Sequence, residues 1–119
     1  MAFNKLSRRM AVAGGIVMLA GVSAMAQPAN ITGNYRAEGR NPNGTAYVGS
    51  AKISENKGNI LINWVVGEQR YTGKGVRKGR VVTVEWGAPS PVVYVVMDNG
   101  DLHGTWDNGQ ALERLLRTK

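Results

Sequence analysis

From Ile31 onward, apolar and polar positions alternate with a period of two, the pattern of a strand with one buried face. Tyr47, Gly49, Ala51 and Ile53 share one face, with Ser50, Lys52 and Ser54 on the other. Ile60, Ile62, Trp64 and Val66 form a second apolar face, and Val82, Val84 and Trp86 a third, opposite Thr83 and Glu85. Val92, Tyr94 and Val96 form a fourth, in a run where Val93 and Val95 are apolar as well. Turn signals separate these runs: Asn41-Pro42-Asn43-Gly44, Asn56-Lys57-Gly58, Val66-Gly67, Lys78-Gly79, Asp98-Asn99-Gly100 and Asp107-Asn108-Gly109. Glycine and asparagine tolerate the positive φ of tight hairpins. The longest link is Gly87-Ala88-Pro89-Ser90-Pro91.

The spacing predicts an all-β chain of about eight short strands, near 32–38, 45–55, 59–66, 69–77, 80–86, 92–97, 101–106 and 110–117. Short links make sequence neighbours antiparallel partners in an up-and-down meander. Such a meander with one apolar face closes most naturally into a small barrel, which removes its edges; an open sheet or a two-sheet sandwich is the alternative. The final segment, Gln110 to Leu116, also has helical propensity and is assigned here as the closing strand.

Each predicted strand except the last carries a single tyrosine or tryptophan: Tyr35, Tyr47, Trp64, Tyr71, Trp86, Tyr94 and Trp106. Four of them stand two positions from a glycine, in Gly33-Asn34-Tyr35, Tyr47-Val48-Gly49, Tyr71-Thr72-Gly73 and Gly104-Thr105-Trp106. Residues i and i+2 face the same way, so each ring is expected beside bare backbone inside the barrel. An eight-stranded barrel is just wide enough to be filled by side chains, so the expectation is an interior filled by the seven rings. An aromatic-lined cup for a small apolar or sugar-like ligand is the competing arrangement.

The first residues have a different pattern. Lys5, Arg8 and Arg9 precede an uncharged stretch, Ala11 to Val22, and Ala24-Met25-Ala26 offers small residues where a signal peptidase cuts. The stretch is short for a membrane span and is interrupted by Gly14, Gly15 and Gly21. A cleavable signal over 1–26 is expected, with one domain over 27–119 and no permanent membrane anchor, a retained anchor being the alternative. The protein is then exported, to the periplasm or beyond. Arg8-Arg9 after Ser7 resembles a twin-arginine signal, but the residues that follow match that pattern poorly.

Removing residues 1–26 from the 119-residue chain leaves 93, enough for one compact domain. Small exported domains often add disulfides, and this chain has no cysteine, so packing and hydrogen bonding must hold it together. Twelve basic residues then stand against eight acids, a net of +4. That is mild for a nucleic-acid binder, and export also disfavours such a partner. The basic residues are densest over Arg70, Lys74, Arg77, Lys78 and Arg80, with no acid between Arg70 and Arg80. They are a candidate surface for an anionic envelope or extracellular-matrix component.

Catalytic signals are sparse. The single histidine, His103, is expected to face outward, with no orienting partner for triad chemistry. Asp98-Asn99-Gly100-Asp101 lacks the further acids of a calcium loop, and Glu38, Glu68, Glu85 and Glu113 are scattered. No enzyme and no cofactor or metal site is expected.

Gly33-Asn34-Tyr35, Asn41-Pro42-Asn43-Gly44, Tyr47-Val48-Gly49, Trp64, Tyr71-Thr72-Gly73-Lys74-Gly75, Val93-Tyr94 and Gly100 to Trp106 occur in an order that resembles a family of small exported bacterial proteins. Its members are often labelled fibronectin-binding or left uncharacterised. The resemblance covers the whole chain after the signal and implies a small exported β-barrel, but its motifs are strand and turn motifs that carry no site residues. A looser similarity, through Ile31 to Tyr35 and Gly100 to Trp106, is to the architecture of avidin-type barrels. The functional expectation is an exported, non-enzymatic binding protein that uses the basic hairpin. The alternatives are a barrel that carries a small ligand and a periplasmic inhibitor of an envelope-degrading enzyme.

Overall fold

The computed structural model describes residues 29–118, and the export signal expected over 1–26 lies outside them. Eight strands follow one another: β1 (Gly33–Arg40), β2 (Ala46–Asn56), β3 (Asn59–Val66), β4 (Gln69–Lys78), β5 (Val81–Glu85), β6 (Val92–Val96), β7 (Leu102–Trp106) and β8 (Ala111–Arg117). Each pairs antiparallel with the next, and β1 also pairs with β8, from Tyr35 opposite Arg117 to Arg40 opposite Leu112. The sheet is therefore a closed barrel, as the meander pattern predicts. The final segment is a strand because closure requires it. Its backbone pairs with β7 on one side and β1 on the other, and this outweighs its helical propensity.

The turns have the chemistry their residues imply. Lys57 and Gly58 have φ of 53° and 81° between the paired residues Asn56 and Asn59, the two-residue turn whose twist suits a hairpin. Trp86, expected inside the fifth strand, lies just past its end and opens the proline-containing link to β6.

Alternate residues point inward, and the interior is uneven along its length. One end is filled by Ile31, Ile53, Ile60, Ile62, Val82, Val84, Val96, Leu102 and Leu115, all almost fully buried. Ile31 precedes β1 and plugs this end. Its carbonyl accepts the Tyr35 hydroxyl at 2.6 Å, and its amide donates to Glu55 at 3.0 Å. The Arg117 guanidinium lies over the Tyr35 ring, 5.5 Å from its centroid, and donates to its hydroxyl.

Arg77 also belongs to this end, which corrects the expectation that it lies on the solvent-facing basic surface. It shares parity with Gly73 and Gly75 and points inward, where its side chain is 3% exposed. There it pairs with Glu55 at 2.8 Å and donates to the carbonyls of Gly79 and Ala29. A buried guanidinium is tolerable only when paired and hydrogen-bonded in this way.

Removing one member of that pair strands the other. Arg77→Met should cost about 3–5 kcal/mol, because Glu55 stays buried without its cation. Arg77→Met combined with Glu55→Leu should cost clearly less than the single change. Guanidinium denaturation of the three proteins checks this; equal losses for the single and double variants would mean that the stranded carboxylate is not the cause of the loss.

Candidate functional site

The opposite end is open. The end of β1, the start of β2, the end of β3, the start of β4, the end of β5, the start of β6, the end of β7 and the start of β8 surround a cavity of about 320 Å³. Its wall is Asn41, Tyr47, Trp64, Val66, Tyr71, Trp86, Val92, Trp106 and Glu113. Five of the seven rings singled out in the sequence therefore meet at one mouth. Tyr35 and Tyr94 are buried deeper, at 2% and 0% exposure. Trp64 is buried, Trp86 and Trp106 pack against the core while partly exposed, and Tyr71 is 38% exposed. The seven rings do not fill the whole barrel, since four of them line the rim of a cup.

The rim rings meet edge to face. Tyr47 and Trp106 are 6.3 Å apart at 66°, Trp106 and Trp86 5.7 Å at 87°, and Trp86 and Tyr71 5.8 Å at 72°. This geometry aligns the positive edge of one ring with the negative face of the next. Hydrogen bonds fix the chain of rings at two points. The Trp106 Nε1–H donates to the Tyr47 hydroxyl at 3.0 Å, and the Trp86 Nε1–H to the Ser90 carbonyl at 3.1 Å.

Beneath them lies Glu113, 7% exposed. One carboxylate oxygen accepts the Tyr47 hydroxyl at 2.8 Å; the other accepts the Trp64 Nε1–H at 3.0 Å and the Tyr94 hydroxyl. The register explains the convergence. Tyr47 pairs with Gly39, Gly39 with Glu113, Glu113 with Gly104, and Gly104 with Tyr94. Each tyrosine thus stands two strands from the glutamate, about 9–10 Å away at normal strand spacing. The side chains can meet only if the intervening position has none. A Cβ on Gly39 would strike the Tyr47 ring, and one on Gly104 would lie 2.7 Å from the Tyr94 ring. Gly73 similarly gives room to Trp64, whose ring would lie 3.0 Å from an added Cβ. These glycines accommodate rings of neighbouring strands, not the rings two positions away in sequence.

Burial pushes the Glu113 carboxyl above its ordinary value, against the pull of its hydrogen bonds from Tyr94, Tyr47 and Trp64. Burial and the adjacent Glu113 raise the hydroxyls of Tyr47 and Tyr94 as well. Both tyrosines are therefore held as donors. The sequence signal for Glu113 was its parity: it alternates with Ala111 and Leu115, both fully buried. Leu112 and Leu116 obscured that signal by placing apolar residues on the other face.

The five basic residues do not form one patch. Arg70 and Lys78 are eight positions apart on β4, about 27 Å along a strand. Lys74 lies between them, opposite Glu85 in the register. Arg77 is interior, and Arg80 is paired with Asp98 at 2.7 Å. Only Lys78 and Arg80 share the hairpin tip. His103 is exposed, and no group of three or more potential metal-ligating side chains occurs among the described residues. Comparisons with family models, curated proteins and solved structures returned no match.

Two outcomes check this site. Gly104→Ala should destabilise the barrel by about 1–3 kcal/mol, because the new methyl meets the Val93 carbonyl and the Tyr94 ring. The pH dependence of Glu113 has a definite sign. With its folded pKa raised, the folded state keeps a proton that the unfolded chain releases near 4.5. Its contribution is complete below that value and is lost as pH rises through the folded pKa. The stability of the wild type relative to Glu113→Gln should therefore fall as pH rises from about 4.5 through the raised folded pKa. A difference that is flat or rises with pH, in denaturation curves across that range, would contradict the assignment.

Proposed function

We propose that this chain is an exported, non-enzymatic small-ligand-binding barrel whose site is the aromatic cup at its open end. The observation that carries the reading is the cavity of about 320 Å³ lined mainly by Tyr47, Trp64, Tyr71, Trp86 and Trp106. Pre-formed ligand sites are concave, mostly apolar and aromatic, with few polar groups, and about 300 Å³ is the lower end of their range. The site therefore suits a ligand of modest size. A filled closed end below it, fixed by the Arg77–Glu55 pair and the Ile31 plug, supplies a rigid base.

The cup is favoured over the basic hairpin because its groups converge. Arg70, Lys74, Lys78 and Arg80 are spread along the wall, and Arg80 already has a carboxylate partner. It is favoured over catalysis because the oxygens of Glu113 take three protein donors, which gives the residue a structural job at the cup floor.

Native mass spectrometry of the protein purified from its own host tests the proposal. A bound small molecule should appear in the wild type and be lost, or reduced about tenfold or more in occupancy, in Trp86→Ala, with unchanged circular dichroism. Wild-type protein without added mass, whose tryptophan emission also fails to respond to a small-molecule library, would count against the cup.

A further inference from the structure

The cup's chemistry narrows what it can hold. Most of its polar handles are turned inward on the protein, the Tyr71 hydroxyl being the exception: Trp106 donates to Tyr47, Trp86 to Ser90, and Tyr47 and Trp64 to Glu113. Asn41 donates to Thr45. A sugar or other polyhydroxyl ligand would find few free partners there, and each unsatisfied hydroxyl would weaken binding. What remains exposed is aromatic surface, arranged in successive near-perpendicular contacts at 66°, 87° and 72°. Rings that turn in this way form the sides of a box and not a stack. Aromatic faces carry negative potential, and a box of them is suited to a compact cation.

The charges around the cup agree. The chain carries fifteen Lys and Arg against eight acids, yet no Lys or Arg lines the cavity, and its one charged lining residue is Glu113. No ion pair among the described residues includes Glu113. Burial favours the protonated carboxyl, whereas the three donors aimed at its oxygens favour the charged one. Above its raised pKa Glu113 holds a negative field that no ion pair compensates, and low polarity strengthens it. A cation seated among the rings would balance it without touching it.

Building on the reading of the cup as a ligand site, we propose that it selects an organic cation with a methylated ammonium head. Tyr47, Tyr71, Trp86 and Trp106 would surround the head above the Glu113 carboxylate. A quaternary ammonium suits the consumed polar handles because it has no N–H groups to satisfy. Its methyl groups pack on the rings, while its charge is met by ring faces and by Glu113. The position of Glu113 within a row fixed by Gly39 and Gly104 means that the carboxyl is in place before the ligand arrives.

The test compares two molecules of the same shape on the full chain. Choline and its neutral isostere 3,3-dimethylbutan-1-ol are titrated against tryptophan emission, with calorimetry as the second readout. Choline should bind about tenfold or more tighter than the neutral alcohol. Glu113→Gln should weaken choline binding far more than binding of the alcohol and so remove most of that preference. If that variant does not fold, Trp86→Leu replaces it, and choline should lose more affinity than the alcohol. Equal affinity for the two molecules, or binding of the alcohol alone, overturns the cation while leaving the cup as a ligand site. Binding of neither also overturns it, and the cup itself is then judged by whether a small molecule co-purifies with the protein.

Discussion

The burial of Glu113 constrains the rest of the structure. A carboxylate inside a small barrel is costly unless several donors reach it, and here the donors are Tyr47, Tyr94 and Trp64. Two of them lie two strands away in the same register row. They reach only because Gly39 and Gly104 leave the intervening positions empty. The row runs tyrosine, glycine, glutamate, glycine, tyrosine across β2, β1, β8, β7 and β6, so it crosses the seam where the last strand meets the first. Closure of the barrel and satisfaction of the carboxylate are thus the same event. A register slip of one residue on β8 would send Glu113 to solvent and bring an apolar residue inward.

The two ends of the barrel divide the work. At the closed end, apolar side chains and Ile31 fill the interior, and the Arg77–Glu55 pair ties β4 to β2 and to the segment before β1. Arg117 reaches back from β8 to the Tyr35 hydroxyl and the Thr32 carbonyl. With no cysteine in the chain, these bridges take the place that disulfides hold in many domains of this size. The open end is left unfilled, and its rings lean on one another and on Glu113. Aromatic residues do two jobs here: Tyr35 and Tyr94 pack and donate, whereas Tyr71, Trp86 and Trp106 present surface.

Much of the architecture was legible in the residues. Alternation in β3, β5 and β6 identified Ile60, Ile62, Trp64, Val82, Val84, Val92, Tyr94 and Val96 as inward, and all are buried. Turn chemistry located the hairpins because positive φ is a local demand, met at Gly44, Gly58, Gly79, Gly100 and Gly109. The three charged groups that face inward were the ones misread or missed. Glu55 and Arg77 continue the parity of inward neighbours, as Glu113 does. Polarity argued against parity at each of them, and only the partner across the barrel decides between the two.

By itself, the sequence determined the strands, their order and the inward face of most of them, because period-two alternation and turn residues act over a few positions. It also determined that every strand but the last would bring one large ring in it or just past its end, although not where along the barrel that ring would sit. Tertiary structure alone decided that five rings would gather at one end and that three charged side chains would be buried. Both outcomes depend on the stagger between strands and on closure, which places Gly39, Glu113 and Gly104 in one row although they are far apart in the chain. Register is a property of paired strands, and a single strand's pattern does not contain it.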